Sequence, residues 1–132
     1  MIDCLIIGDS IAYGVSTIRT ECVAYVKSGI SSRDWFSNNI SKAPFAAKTV
    51  IISLGSNDLK NINTEAELIS IRSNTKADCV YWILPAIKPN VQEIVYRVAK
   101  QNSDNVIVID GLSSDKVHPT TTGYRLLATK TK

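Results

Sequence analysis

Five residues spread along the chain are of the types that serine acyl transfer requires. They are Ser10, Gly29, Asn57, Asp115 and His118. A serine hydroxyl can attack a carbonyl carbon when a histidine takes its proton and a carboxylate orients that histidine. Backbone and side-chain N–H groups can stabilise the negative oxygen that forms in the transition state. This chemistry requires a fold that brings distant parts of the chain together.

Each of these residues also has a simpler explanation. A serine or aspartate directly after a strand often caps the next helix, which would account for Asp9 and Ser10. Gly29 fits a turn, and Asn57 fits a helix cap. Segment 115–119 fits a polar loop whose proline opens a helix. Taken singly, each residue favours the simpler explanation, and only their joint position at the ends of strands indicates a site.

The elements that must position these residues follow from the apolar pattern. A nearly continuous apolar run from Ile2 breaks at Gly8, just before Ser10, as in a buried strand of a parallel sheet. Further strands are predicted over 22–26, 50–54, 79–84 and 106–109. Helices are predicted over 31–39, 64–72, 89–100 and 120–129, together with a short helix or turn over 11–14 that Gly14 ends. A capping box of Thr64 and Glu67 is predicted to start the second of these helices.

Five strands that alternate with helices predict a flavodoxin-like three-layer α/β/α fold with a five-stranded parallel sheet in the order 2-1-3-4-5. Ligands of such sheets bind just beyond the carboxyl ends of the strands. The serine, the glycine and the asparagine all follow predicted strands. We therefore expect them to meet at this edge.

The composition is that of one domain spanning residues 1–132. Hydrophobic residues make up 45% and charged residues 20% of the chain, and the net charge of +3 is spread too evenly to indicate a nucleic-acid partner. No apolar run approaches the roughly 20 residues that span a bilayer, and no secretory signal is apparent. We expect a protein without a transmembrane segment, located in the cytoplasm or otherwise made without a secretory signal.

The cysteine and histidine content predicts neither a metal site nor a cofactor. Cys4, Cys22 and Cys79 are odd in number and lack metal-type spacing, so they are predicted to be buried free thiols in a reducing compartment. His118 is the only histidine, which excludes a His-rich metal site. Dinucleotide and Walker motifs are absent from the sequence.

Four short blocks resemble the SGNH hydrolase superfamily, which is also called the GDSL esterases and lipases. Segment 8–11 (Gly-Asp-Ser-Ile) resembles the first block, Gly29 within 27–31 the second, 55–58 (Gly-Ser-Asn-Asp) the third, and 115–119 (Asp-Lys-Val-His-Pro) the fifth. The blocks stand in the family's order. The chain differs in having Lys27 where the family commonly has asparagine, and Ile where leucine often follows the nucleophile.

The resemblance implies a serine hydrolase that acts on ester bonds. Ser10 would be the nucleophile, His118 the base and Asp115 the acid that orients it. Asp110 is a second candidate for the acid, ranked lower because Asp115 has the Asp-x-x-His spacing. Asp9 is expected to be structural.

The resemblance also implies an oxyanion hole. Its donors would be the backbone N–H groups of Ser10 and Gly29 and the side-chain amide of Asn57. Glycine suits this role because the absence of a β-carbon lets a substrate approach the backbone.

The substrate is left open by the resemblance, because the family includes carbohydrate acetylesterases, lysophospholipases, thioesterases and lipases. Members are commonly longer than this chain, so we expect a shallow site for a short acyl group, most plausibly acetyl on a sugar. Tyr13, Pro85 and Ala86 are predicted to line it, whereas Trp35 and Trp82 are assigned to the core. The alternatives are a lysophospholipase or thioesterase with the same triad, or a non-catalytic glycan-binding or scaffold domain.

Overall fold

A parallel sheet forms the centre of the fold in the computed structural model, which describes residues 2–132. Its strands are β1 (Ile2–Gly8), β2 (Val23–Val26), β3 (Phe45–Ser53), β4 (Thr75–Lys76), β5 (Cys79–Ile83) and β6 (Asn105–Ile107). The helices are α1 (Ser10–Ile18), α2 (Ser32–Asn39), α3 (Thr64–Ser73), α4 (Pro89–Gln101) and α5 (Thr121–Lys130), with a short 3-10 helix at Ile40–Lys42.

The strand order confirms the predicted fold class. The main path of the sheet is β2-β1-β3-β5-β6, and all of its strand pairs are parallel. This is the predicted order, with the two-residue strand β4 added beside the start of β3. Gly8 at the end of β1 lies opposite Val26 of β2 and Ser53 of β3. The ends of these three strands therefore share one edge of the sheet.

Two apolar layers cover the faces of the sheet. Helices α2, α3 and α4 pack on one face and helices α1 and α5 on the other. Trp35 and Trp82 are buried, which confirms their assignment to the core. The indole N–H of Trp35 donates to the Tyr25 carbonyl at 2.8 Å, and that of Trp82 to the Asp104 carboxylate at 2.9 Å. No helix within residues 2–132 combines the length and the apolarity that a membrane crossing needs.

Two predicted boundaries are wrong for packing reasons. Strand β3 begins at Phe45 and not at 50, because buried Ala47 extends the pairing with β1 and buried Phe45 pairs with Thr75 of β4. Helix α1 does not end at Gly14 but continues to Ile18. A β-carbon on Gly14 would lie 2.2 Å from the ring of Tyr124, so this glycine gives α5 room to pack against α1.

The predicted capping box is also wrong. The N-cap of α3 is Asn63, whose side chain accepts a hydrogen bond from the backbone N–H of Ala66 at 3.1 Å. Thr64 lies inside the helix, and its hydroxyl donates to the carboxylate of Asp58 at 2.7 Å. The threonine hydroxyl thus binds a buried acid instead of its own helix.

The prediction of free thiols is wrong for two of the three cysteines. Cys4 and Cys22 form a disulfide with a Cα–Cα distance of 4.8 Å, and Cys79 is free and half-buried. Leu5 pairs with Val23 in the sheet, so the residues that precede them are neighbours across two parallel strands. The inference of a reducing compartment rested on three free thiols and loses that support.

Candidate active site

The start of α1 separates the roles of two adjacent residues. Asp9 is the N-cap, and its Oδ1 accepts from the backbone N–H of Ile11 at 3.0 Å and from the hydroxyl of Ser53 at 3.0 Å. Ser10 is the first residue of the helix, and its Oγ lies 2.8 Å from Nε2 of His118. Helix capping therefore explains Asp9, whereas the Ser10 hydroxyl contacts His118.

The segment after β6 brings a carboxylate to the same histidine. Nδ1 of His118 lies 2.7 Å from Oδ2 of Asp115. Together with the bond to Ser10, this makes a continuous chain of hydroxyl, imidazole and carboxylate. Asp110 is exposed, and within the described residues its carboxylate makes no hydrogen bond to the imidazole.

The carboxylate of Asp115 is held by three further donors. Its Oδ1 accepts from the backbone N–H groups of His118 and Val117, both at 2.9 Å, and from the hydroxyl of Ser113 at 2.8 Å. These bonds, the one from the His118 backbone most of all, hold the pKa of Asp115 well below its usual range. A carboxylate that stays charged favours the tautomer with a proton on Nδ1, which leaves Nε2 free to accept from Ser10.

The loop that carries this pair is closed at its base and packed against α5. Thr120 N–H donates to the Gly111 carbonyl at 2.8 Å, and Ser113 N–H donates to the His118 carbonyl at 2.8 Å. A β-carbon on Gly123 of α5 would lie 2.4 Å from the Gly111 carbonyl oxygen. The absence of that carbon allows the helix to support the loop directly.

Three N–H donors lie at the same edge. The N–H of Ser10 belongs to the first helical turn, where no intrahelical acceptor is available. Gly29 has a φ of +78°, and a β-carbon there would meet nothing within 4 Å, so its backbone is open to a ligand. The amide nitrogen of Asn57 donates one hydrogen to the Ile30 carbonyl at 3.2 Å and keeps a second. Asn57 is thus tied to the residue after Gly29 and does not cap a helix.

The three residues predicted to line the substrate site lie in different environments. Tyr13 is 52% exposed and lies three residues after Ser10 on α1. Pro85 is buried, and Ala86 is half-buried against the apolar layer under α1 and α5. Their role in substrate binding stays a prediction.

Metal-ligating side chains cluster at one place within residues 2–132, away from this edge. The group consists of Cys4, Glu21 and Cys22. Because the two sulfurs are bonded to each other, they do not provide thiolate ligands.

Asp9 is fully buried and only partly satisfied, because its Oδ2 has no hydrogen-bond partner within the described residues. Burial raises its pKa from the ordinary 3.8 to about 6, although bonds from Ser53 and from the backbone N–H of Ile11 act in the opposite direction. In the folded protein Asp9 therefore holds a proton over a pH range in which the unfolded chain has lost it.

This shift predicts that Asp9 becomes costly to the fold as the pH rises. Its favourable contribution is complete below pH 3.8 and is lost as the pH passes through about 6, because the charged form is poorly solvated. An amide at this position, as in Asp9→Asn, would carry no such charge. Urea unfolding of wild type and Asp9→Asn at pH 4 and pH 7 is expected to show a difference in unfolding free energy that moves by about 2 kcal/mol in favour of the variant at the higher pH. A difference that does not change with pH would contradict this prediction.

Comparison with known proteins identifies the fold. No family model matches the sequence, and no curated protein matches it. A GDSL-like lipase from Bacteroides thetaiotaomicron superposes with a TM-score of 0.69 and 19% sequence identity, over 97% of this chain and 84% of that one. A candidate acylhydrolase from Bacteroides fragilis gives a TM-score of 0.69 and 16% identity, over 97% of this chain and 83% of that one. The chain therefore shares its three-layer α/β/α fold with a GDSL-like lipase and an acylhydrolase.

Proposed function

We propose that this protein is an SGNH-type serine esterase in which Ser10, His118 and Asp115 form the catalytic triad. The observation that supports the proposal most is the unbroken chain of hydrogen bonds, 2.8 Å from Ser10 to His118 and 2.7 Å from His118 to Asp115. A serine with a purely structural role would not require an imidazole oriented by a charged carboxylate. The names of the two similar structures agree with this proposal.

The proposed reaction proceeds in two halves. Ser10 Oγ attacks the ester carbonyl carbon as its proton passes to Nε2 of His118, and the imidazolium then protonates the departing alcohol. Water next attacks the acyl-enzyme with His118 as base and releases the acid. In each half the oxyanion accepts hydrogen bonds from the N–H groups of Ser10 and Gly29 and from the free amide hydrogen of Asn57.

Replacement of Asn57 tests the oxyanion hole. In Asn57→Ala the amide donor is lost while the serine and the histidine remain, so kcat is expected to fall roughly 10²–10³-fold. KM should change little, because the lost bond strengthens only as negative charge develops on the oxygen. Steady-state hydrolysis of 4-nitrophenyl acetate measures both constants. An unchanged kcat in a folded variant would show that Asn57 is not a donor of the oxyanion hole.

The substrate that we favour is a short acyl ester, namely acetyl on a carbohydrate. The exposed ring of Tyr13, one turn after Ser10, offers a flat apolar surface that suits a sugar ring. Acetate release from acetylated glycans, measured for wild type beside Ser10→Ala, tests this assignment.

A longer acyl group is the second candidate, because an apolar groove begins next to Asn57. The groove has a volume of about 610 Å³, and its apolar lining residues are Leu59, Ile62, Val91 and Ile94. Leu59 lines the groove with a side chain that is 68% exposed. A series of 4-nitrophenyl esters separates the two candidates. Values of kcat/KM that fall beyond C4 support an acetylesterase, and values that rise towards C8 support a lysophospholipase or thioesterase.

A further inference from the structure

The proposed oxyanion donors outside α1 come from two loops whose strands are not direct neighbours in the sheet. Gly29 lies in the loop after β2, and Asn57 lies in the loop after β3. Strand β1 separates these two strands, so no ladder of sheet hydrogen bonds joins them. Contacts between the two loops therefore add to the sheet in fixing the distance between the two donors.

Asp58 makes such contacts with its side chain. It is 5% exposed, and its Oδ1 accepts from the backbone N–H of Ser32 at 2.7 Å. Its Oδ2 accepts from the hydroxyl of Ser32 at 2.5 Å and from the hydroxyl of Thr64 at 2.7 Å. Ser32 and Thr64 are the first residues of α2 and α3. One carboxylate thus joins the starts of two helices to the loop that carries Asn57.

The charge of Asp58 is compensated without an ion pair. Within residues 2–132, no lysine or arginine side chain forms a salt bridge with its carboxylate. Three hydrogen-bond donors and the positive ends of two helices stabilise the buried charge instead. These donors are fixed to elements of the fold, so the position of Asp58 is fixed with them.

The main chain near Asp58 completes the connection between the loops. The amide of Asn57 donates to the carbonyl of Ile30, the residue after Gly29, at 3.2 Å. The amine of Lys88 donates to the carbonyl oxygen of Asp58 at 2.8 Å, from the segment before α4. Asn57 and Asp58 therefore contact the two ends of segment 30–32, which follows Gly29.

We infer that Asp58 is a positioning residue that holds the Asn57 amide and the Gly29 N–H at the spacing of an oxyanion hole before substrate binds. This inference rests on the proposed function. Asp58 itself does not contact the substrate. Its contribution is a preformed arrangement of donors, which spares the transition state the cost of ordering two loops.

The Asp58→Asn variant keeps the shape of the side chain but replaces Oδ2 by a donor that faces two hydroxyl groups. We expect kcat for an ester to fall roughly 10- to 100-fold, less than for complete loss of a donor, with KM within about threefold of wild type. The acid side of the pH profile should not move, because His118 lies in a different loop. Asp104→Asn is the matched control, since Asp104 is a buried carboxylate bonded to Arg72 and Trp82 beyond this edge. That control should lower stability and leave kcat unchanged.

Two comparisons distinguish positioning from a general loss of stability. In a thionoester, sulfur replaces the carbonyl oxygen and accepts hydrogen bonds poorly, so its hydrolysis depends little on the oxyanion hole. The ratio of the ester rate to the thionoester rate should therefore fall in Asp58→Asn. In the Asn57→Ala background, the Asp58→Asn change should have little further effect, because the group that it positions is gone. If Asp58→Asn does not fold, Ser32→Ala replaces it as the test. Ser32→Ala removes only one of the three donors to Asp58, so kcat and the ester-to-thionoester ratio should fall by a smaller factor.

The outcomes separate this inference from the proposed function. If wild type is active, any of three results would overturn the role of Asp58 alone. These are a kcat of Asp58→Asn within about twofold of wild type, an unchanged ester-to-thionoester ratio, and effects of Asn57→Ala and Asp58→Asn that simply multiply. A folded wild type that hydrolyses no ester and does not react with a fluorophosphonate would overturn the proposed function, and the inference with it.

Discussion

The Ser10→Ala variant is expected to lose ester hydrolysis almost completely while it keeps its fold. The hydroxyl that would attack the substrate is removed, and no other hydroxyl within the described residues lies within hydrogen-bonding distance of the His118 ring. Loss of the nucleophile of such a triad lowers kcat on the order of 10⁴–10⁶-fold. Stability should hold, because the cap of α1 is Asp9 and not Ser10. Initial rates with 4-nitrophenyl acetate and a urea unfolding curve measure the two quantities.

Ser16→Ala is the control for this variant. Ser16 lies on the same helix, is half-buried, and donates to the Tyr13 carbonyl at 2.6 Å. The same substitution there should leave hydrolysis at the wild-type rate. Wild-type rates in Ser10→Ala would show that the chain uses another nucleophile or none.

His118→Ala is expected to have an effect of similar size, on the order of 10⁴-fold or more in kcat. His118 is the only histidine, so no other imidazole can replace it. In wild type, kcat/KM should fall towards acid pH, because a protonated imidazole cannot accept the serine proton. This acid limb should disappear in the variant. A pH–rate profile of both proteins, with and without added imidazole, provides the measurement.

Asp115 and Asp110 form a matched pair that tests which carboxylate orients His118. Asp115→Asn would leave a neutral amide beside Nδ1 and favour the wrong tautomer, so a loss of about 10⁴-fold is expected. Asp110→Asn should retain the wild-type rate, because Asp110 is exposed and does not bond to the imidazole. A larger loss at Asp110 than at Asp115 would reverse the assignment of the acid.

Local patterns were sufficient to predict that Ser10 and His118, whose side chains lie 2.8 Å apart, come to the carboxyl edge. An apolar run that stops at Gly8 indicates where β1 ends, and the Asp-x-x-His spacing places Asp115 and His118 in one loop. Parallel strands then align their ends automatically, as the pairing of Gly8 with Val26 and Ser53 shows. The order of the sheet and the convergence at its edge were therefore accessible from the sequence.

Features that depend on distant neighbours were not accessible in this way. The Cys4–Cys22 disulfide follows from the register of β1 and β2, which a single sequence does not specify. The contacts of Asp58 with Ser32 and Thr64 follow from the packing of two helix starts, which local pattern cannot reveal. In both cases the residue types were visible, but their partners were not.

Reaction with a fluorophosphonate tests the central claim most directly, because this reagent reports an activated serine whatever the natural substrate is. Intact-mass analysis followed by peptide mapping should show a single adduct on Ser10 of the wild type. Ser10→Ala should show none, and His118→Ala should show none over the same exposure. A folded wild-type protein that stays unlabelled, or that carries the adduct on a different residue, would contradict the assignment of Ser10 as the nucleophile.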